Sequence, residues 1–311
     1  MEEESNFINK LEPDKPLTAM QKKIIDTAVA ISLESAVEAG SLGFMARTLI
    51  QATLPHSKID GISFQRKNGD LTLSIMSDSS LGLPYGCYPR LILAWLATEA
   101  VRTKSREIIL GKSLSNFMKQ IDIIPSGGRW GTVPRFRDQL KRLFSSIISC
   151  TYSKEDNQFS KKIINIADET KLWWDPKKPD KLNLFDSFVI LGQSFFDEIT
   201  TNPVPVDIRA ISALKNSAFA LDLYFWLTHR ISYVSENTTI PFSLLQLQFG
   251  AGYKDTKQGR FEFKRTFYKQ LSKVKTVYPD LNITEGDNAI IISPSNTHVR
   301  TKSGLRESIL R

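Results

Sequence analysis

Apolar residues recur at helical spacing from Met20 through Ile24, Ile25 and Ala28 to Ile31, which predicts a helix from a Thr18 cap to about Glu38, closed by Gly40. Residues 1–16, polar and carrying Pro13 and Pro16, read as a flexible arm before it. The period then falls to two. Segments 62–66 and 71–75 flank Asn68-Gly69, a dipeptide that supplies the positive φ of a tight turn, and predict a hairpin. From Pro89 a strongly apolar helix runs through Leu91-Ile92-Leu93-Ala94-Trp95-Leu96 to about Lys104. A short strand at 107–110, a short helix capped by Ser113 and the loop Ser126-Gly127-Gly128-Arg129-Trp130-Gly131 come next. A basic amphipathic helix follows over about 134–147, with Phe136, Leu140, Leu143, Phe144 and Ile147 on its apolar face. Strands are expected near 147–152, 162–167 and 188–191, and Thr200-Thr201-Asn202-Pro203-Val204-Pro205 reads as a short, stiff connector.

After the connector the order repeats. A helix from about Asp207 leads to a highly apolar one carrying Phe219, Leu223, Trp226 and Leu227. A short strand near Thr239-Ile240, a helix from Pro241 with Leu244 and Leu247, and a glycine-containing loop over 250–259 follow. A basic helix over 261–277 and a hairpin turning at Glu285-Gly286-Asp287-Asn288 close the series. Ser113 corresponds to Ser243 at an offset of 130, and Gln139-Leu140 to Gln270-Leu271 at an offset of 131. Such an order predicts an α+β, mainly helical fold of tandem winged-helix domains with β-hairpin wings. The expected division is a flexible arm at 1–16, a first domain at 17–200, a second at 201–298 and a tail at 299–311.

The basic helices are the candidate chemistry. On the second, Phe263, Phe267, Leu271 and Val274 fall in one arc, while Arg265, Tyr268, Ser272 and Lys275 occupy the opposite one beside Lys264 and Lys269. From Lys254 to Lys275 there are eight basic residues and two acidic ones, Lys257 and Arg260 among the former. A basic helix is also what a solvated surface looks like; its place between a short helix and a hairpin favours contact with DNA. On the first basic helix Arg129, Arg135, Arg137, Lys141 and Arg142 face only Asp138, and the flanking strands leave a dimer interface open as a second use. Lys112 and Arg129 read equally as flanking phosphate contacts and as ordinary surface charges.

Composition narrows the class. The chain has 311 residues, 41 Lys plus Arg against 33 Asp plus Glu and a net charge of +8, which modestly favours a polyanionic partner. Two cysteines, Cys87 and Cys150, make neither a disulfide framework nor a metal cluster and read as small core residues in a reducing cytoplasm. The start, Met1-Glu2-Glu3-Glu4-Ser5, lacks a signal-peptide pattern, and the most apolar stretches are too short for a bilayer, so no membrane role is expected.

Several motifs mimic catalysis. Gly111-Lys112-Ser113 resembles the tail of a phosphate-binding loop, but Arg106 stands where its first glycine is required, so a strand-to-helix turn is the simpler reading. Gly250-Ala251-Gly252 lacks the third glycine of a dinucleotide fingerprint. His56, His229 and His298 are scattered, without the metal pair of a nicking enzyme, and His229 reads as a structural residue capping its helix. Trp173 and Trp174 suit either stacking on bases or packing a loop on its own domain. No enzyme activity, cofactor or metal is expected.

Leu83-Pro84-Tyr85-Gly86, Pro89-Arg90-Leu91, Thr98-Glu99-Ala100-Val101-Arg102-Thr103, Gly111-Lys112-Ser113-Leu114-Ser115 and Gln139-Leu140-Lys141-Arg142-Leu143-Phe144 stand in register with one known family. Together with Pro203-Val204-Pro205-Val206-Asp207 and the 260–274 helix, they resemble the plasmid-encoded RepA replication initiators of Gram-negative bacteria over roughly residues 80 to 295. The resemblance implies binding to direct repeats in double-stranded origin DNA, local melting, recruitment of host helicase and DnaA, and a self-repressing homodimer in equilibrium with active monomers. A stand-alone winged-helix repressor is the alternative, since both roles need only binding.

Overall fold

The computed structural model describes residues 17–153, 159–175, 177–250, 252–286 and 288–299; the arm at 1–16 and the tail from 300 onward lie outside them. Thr18 caps α1 (Ala19–Leu33) reciprocally: its hydroxyl accepts from the Gln21 N–H at 3.2 Å, and Gln21 Oε1 accepts the Thr18 N–H at 2.9 Å. The helix stops short of Glu38. Glu34 is extended, and Ser35 and Glu38 bond each other, so local side-chain bonds replace the helical ladder before Gly40, at φ +61, ends the turn. Ile24 is buried, whereas Ile25 faces outward.

β1 (Leu42–Met45) and α2 (Arg47–Gln51) precede the expected hairpin of β2 (Ser63–Asn68) and β3 (Leu71–Met76), which turns at Gly69 with φ +57. Next come α3 (Cys87–Thr103), buried over most of its surface, and β4 (Glu107–Gly111). Ser113 caps α4 (Leu114–Gln120) as read, and α5 (Thr132–Phe144) buries Phe136, Leu140 and Leu143 on its predicted apolar face. β5 (Ile147–Ser153), β6 (Phe159–Asn165), β7 (Ala167–Lys171), β8 (Ser187–Leu191) and α6 (Gln193–Thr201) complete the first half.

The expected connector is itself structured. Thr200 and Thr201 form the last turn of α6, and β9 (Val204–Asp207) pairs antiparallel with β1, placing Phe44 opposite Pro205. Asp207 caps α7 (Ile208–Leu214), and Ser217 caps α8 (Ala218–Ile231), which is buried nearly all round. β10 (Thr238–Pro241), α9 (Phe242–Phe249), α10 (Lys257–Val277), β11 (Ile283–Gly286) and β12 (Ala289–Ile292) follow. α10 begins four residues before Phe261, because Thr256 caps it and Gly259, in its first turn, leaves room for the Lys254 carbonyl. α9 buries Phe242, Leu245 and Phe249 but turns Leu244 and Leu247 outward. Ser243 is its second residue and not its cap, so the offset of 130 slips here.

Among the described residues the fold is mixed, ten helices with small antiparallel sheets. Both halves use one topology. The helix–strand–helix–helix order α3-β4-α4-α5 recurs as α8-β10-α9-α10, and the sheets β4-β8-β7 and β10-β12-β11 have the same strand order. The hairpin immediately after α5 is therefore no counterpart of β11–β12. β5 and β6 instead join β2 and β3 in a four-stranded sheet, with Ile148 opposite Ile75 and Cys150 opposite Leu73 on its buried face. Gln139 and Gln270 are true equivalents: each is buried and accepts a bond from the start of the long apolar helix, Gln139 from the Tyr85 N–H at 2.8 Å and Gln270 from the Ser217 hydroxyl at 2.8 Å.

The two halves share one core, in which α1 packs against α7 and α10. At the joint, Arg90 on α3 grips Asp222 on α8 through two bonds of 2.6 Å, and it also donates to the Leu54, Pro55 and Gly86 carbonyls. His56 donates its Nε2–H to the same carboxylate at 2.8 Å and stacks on Phe219. Burial lowers the His56 pKa, with Arg90 and Arg66 adding to the effect, and so keeps the ring neutral. Asp222 resists burial because Arg90 and His56 hold its pKa down at about 2. Both shifts make acid unfavourable. The unfolded chain takes up a proton on His56 below its ordinary 6.5, and the Asp222 contribution, full above 3.8, is lost toward about 2. Thermal melting should therefore fall steadily on acidification from neutral pH. His56→Gln, which keeps a donor but does not titrate, should reduce the first part of that fall, to which His229 and His298, also drawn down by burial, contribute beside it; an identical profile would remove His56 from the account.

Candidate nucleic-acid interface

The back of α10 is aromatic and aliphatic. Phe263, Phe267, Leu271 and Val274 are buried, and the two phenylalanines pack against Phe219 and Phe242 at ring distances of 5.5 to 6.4 Å, Phe263 stacked on Phe219 and the other pairs edge-on. This seam fixes the rotation of the helix. Arg265, Lys269 and Ser272 then lie along the exposed face at helical spacing, with Lys257 and Arg260 exposed at its amino end. Arg260 meets Asp255 at 2.5 Å in an open pair that water and salt weaken. Lys275 is exposed and donates from Nζ to the Ile283 carbonyl at 3.3 Å.

Two predicted readers also make contacts within the fold. Lys264 bonds Glu285 on β11 at 2.8 Å and lies over the Phe242 and Tyr268 rings. Tyr268 is half-buried edge-on to Phe242, and burial together with the Glu285 carboxylate pushes its phenol well above its ordinary value. Both residues tie the helix to its hairpin. No rule of helical spacing could show that Glu285 lies opposite them.

On α5, Arg135 and Lys141 are exposed and Arg137 is half-exposed; Arg129 is exposed just ahead of the helix. Arg142 turns inward. It bonds Asp138 at 2.7 Å and the Leu83 carbonyl at 3.3 Å, and it covers the Tyr85 ring, so its charge is spent on the fold. Lys112 is exposed at the turn before α4.

The catalytic look-alikes resolve structurally. Gly111, at φ +89, offers its carbonyl to the Trp174 indole at 2.9 Å, while Ser113 caps α4 and donates to Pro179. Trp174 is buried on Phe117 and Trp173 is half-exposed near Phe185, so the pair divides. His229 does not supply a charge to its helix end. Burial, Arg47 and Arg230 push its pKa down to about 4. Cys150 is buried and Cys87 half-buried, and burial raises both thiols, Cys150 to about 12. Among the described residues no helix is long and apolar enough to cross a membrane.

Residues 83–242, just over half of the chain, match the model of a family described as plasmid encoded RepA protein. The fold is similar to the crystal structure of selenomethionine derivatives of domain 2 and domain 3 of RctB, with a TM-score of 0.53, 11% identity and coverage of 81% of this chain and 99% of that one. A second crystal structure, of RctB domains 2–3, aligns with a TM-score of 0.46 and 11% identity over 79% of this chain and 96% of that one. No curated protein matches the chain.

Proposed function

The chain belongs to the plasmid-encoded RepA family, and on that premise we propose that it is a non-enzymatic plasmid replication initiator that binds repeated sites in double-stranded origin DNA. On this reading it promotes local melting, recruits host helicase and DnaA, and represses its own gene as a homodimer that exchanges with monomers in the cytoplasm. We read each half as a winged helix, with α5 and α10 against the duplex and the β7–β8 and β11–β12 hairpins as wings. The observation that carries the proposal is the division of α10. Its aromatic seam is buried, while Arg265, Lys269 and Ser272 stand outward along one face, as a groove-reading helix requires. The repeated topology, with α5 in the equivalent place, supports a two-module grip on one long site.

Arg265→Ala and Lys269→Ala should each weaken specific binding. A lost phosphate contact should lower the salt slope by about 0.9, and a lost bidentate base contact should cost about 1–3 kcal/mol at one position. Footprints unchanged in both variants would move the reading surface elsewhere. Replication separates initiator from repressor: a plasmid without its own origin should replicate when given this gene and its adjacent repeats. Binding and repression without replication would favour the repressor.

A further inference from the structure

The loop entering α5 is braced. Thr132 Oγ1 accepts the Ser126 N–H at 2.8 Å and donates to the Ile124 carbonyl at 2.7 Å, while Ser126 Oγ accepts the Thr132 N–H at 2.9 Å. The Val133 N–H closes on the Ser126 carbonyl at 3.2 Å and the Gly131 N–H on that of Gly128 at 3.0 Å. Gly128 takes the left-handed step at φ +81, and a Cβ on Gly131 would collide with the carbonyl oxygens of Ser126 and Gly127. A segment so tightly held presents its apex in one shape. At that apex the Trp130 side chain is 80% exposed, with the Arg129 guanidinium 5.3 Å from its ring.

The fold makes little use of this indole, and the charged groups placed at its loop are basic. Besides Arg129, Arg135 is exposed on the first turn of α5 and donates to the Gly131 carbonyl at 3.1 Å. A flat apolar ring beside an exposed arginine matches the two halves of a nucleotide, the face of the base and its phosphate.

We propose that Trp130 is a base-stacking residue that takes the face of a nucleobase displaced from the duplex at the edge of the site covered by α5. The proposal rests on the DNA-binding reading above and names the side chain through which melting would begin. The displaced base has two sources, a duplex step pried open by the protein or a strand already single, and both offer the same chemistry.

The test compares the unaltered chain with Trp130→Ala and Trp130→Phe on three probes. These are a duplex selected by the protein from a random pool, the same duplex with a short mismatch bubble at the α5 edge, and an oligothymidine strand. The unaltered chain should prefer the bubble, and Trp130→Ala should reduce bubble affinity by about 5- to 100-fold, with Trp130→Phe retaining most of it. Bubble binding should also quench tryptophan emission less in Trp130→Phe than in the unaltered chain. A matching loss on oligothymidine identifies single strands as a source; a loss confined to the bubble identifies the pried step. Equal binding by Trp130→Ala on all three probes, with intact duplex still bound, overturns the stacking role and leaves the initiator reading standing. Failure of the unaltered chain to bind any duplex overturns both.

Discussion

Raising the salt from about 50 to 200 mM weakens binding to the recognised duplex by about 10³- to 10⁵-fold if both basic helices engage phosphates. The candidate cations are Lys257, Arg260, Arg265, Lys269 and Lys275 on α10, with Arg129, Arg135, Arg137 and Lys141 on and before α5; each is exposed or half-exposed. Lys264 and Arg142 are left out because Glu285 and Asp138 already hold them. Each phosphate neutralised adds about 0.9 to the logarithmic salt slope, so the five on α10 acting alone predict a loss of about 500-fold over this range. All nine predict a loss approaching 10⁵. Titration of a labelled duplex at several salt concentrations therefore reads how many modules touch DNA. A slope near zero would end the case for a phosphate-gripping surface.

Asp222→Ala destabilises the folded chain by about 3–5 kcal/mol, since it strands a buried guanidinium among groups that cannot compensate its charge. Arg90 is 1% exposed and Asp222 is 3% exposed, so water cannot replace the lost partner. Arg66, 3% exposed in the same neighbourhood and drawn down to about 10 by burial first and Arg90 after it, deepens the imbalance. The three carbonyls on Arg90 soften the loss without removing it, because they neutralise no charge. Urea denaturation gives the number. Replacing both partners, Arg90→Met with Asp222→Leu, should cost less than Asp222→Ala alone, since the desolvation penalty disappears with the charges. A loss below about 1 kcal/mol in Asp222→Ala would mean that the pair does not hold the halves together.

The same joint ties the two halves into one shared core. β9 crosses it to pair with β1, α1 crosses it to cover α7 and α10, and Arg90 reaches Asp222 across 132 positions of sequence. If α5 and α10 both read DNA as proposed, their relative placement is set by buried contacts, and a variant at the joint should then alter recognition of a long site as well as stability.

What the chain determined by itself was local. Thr18 and Ser113 cap within three residues, Gly69 turns its own hairpin, and the apolar arcs of α5 and α10 need only helical periodicity, so each is written in neighbouring residues. The repeat of Gln139-Leu140 as Gln270-Leu271 was legible for the same reason. Tertiary structure decided the rest: that β5 and β6 leave the first module for β2 and β3, that Glu285 claims Lys264 and Tyr268, and that Arg142 turns inward while Trp130 turns out. Those outcomes depend on which distant strand or charge arrives opposite a residue. Hydrophobic period states that a face must be covered; only the packed chain settles what covers it.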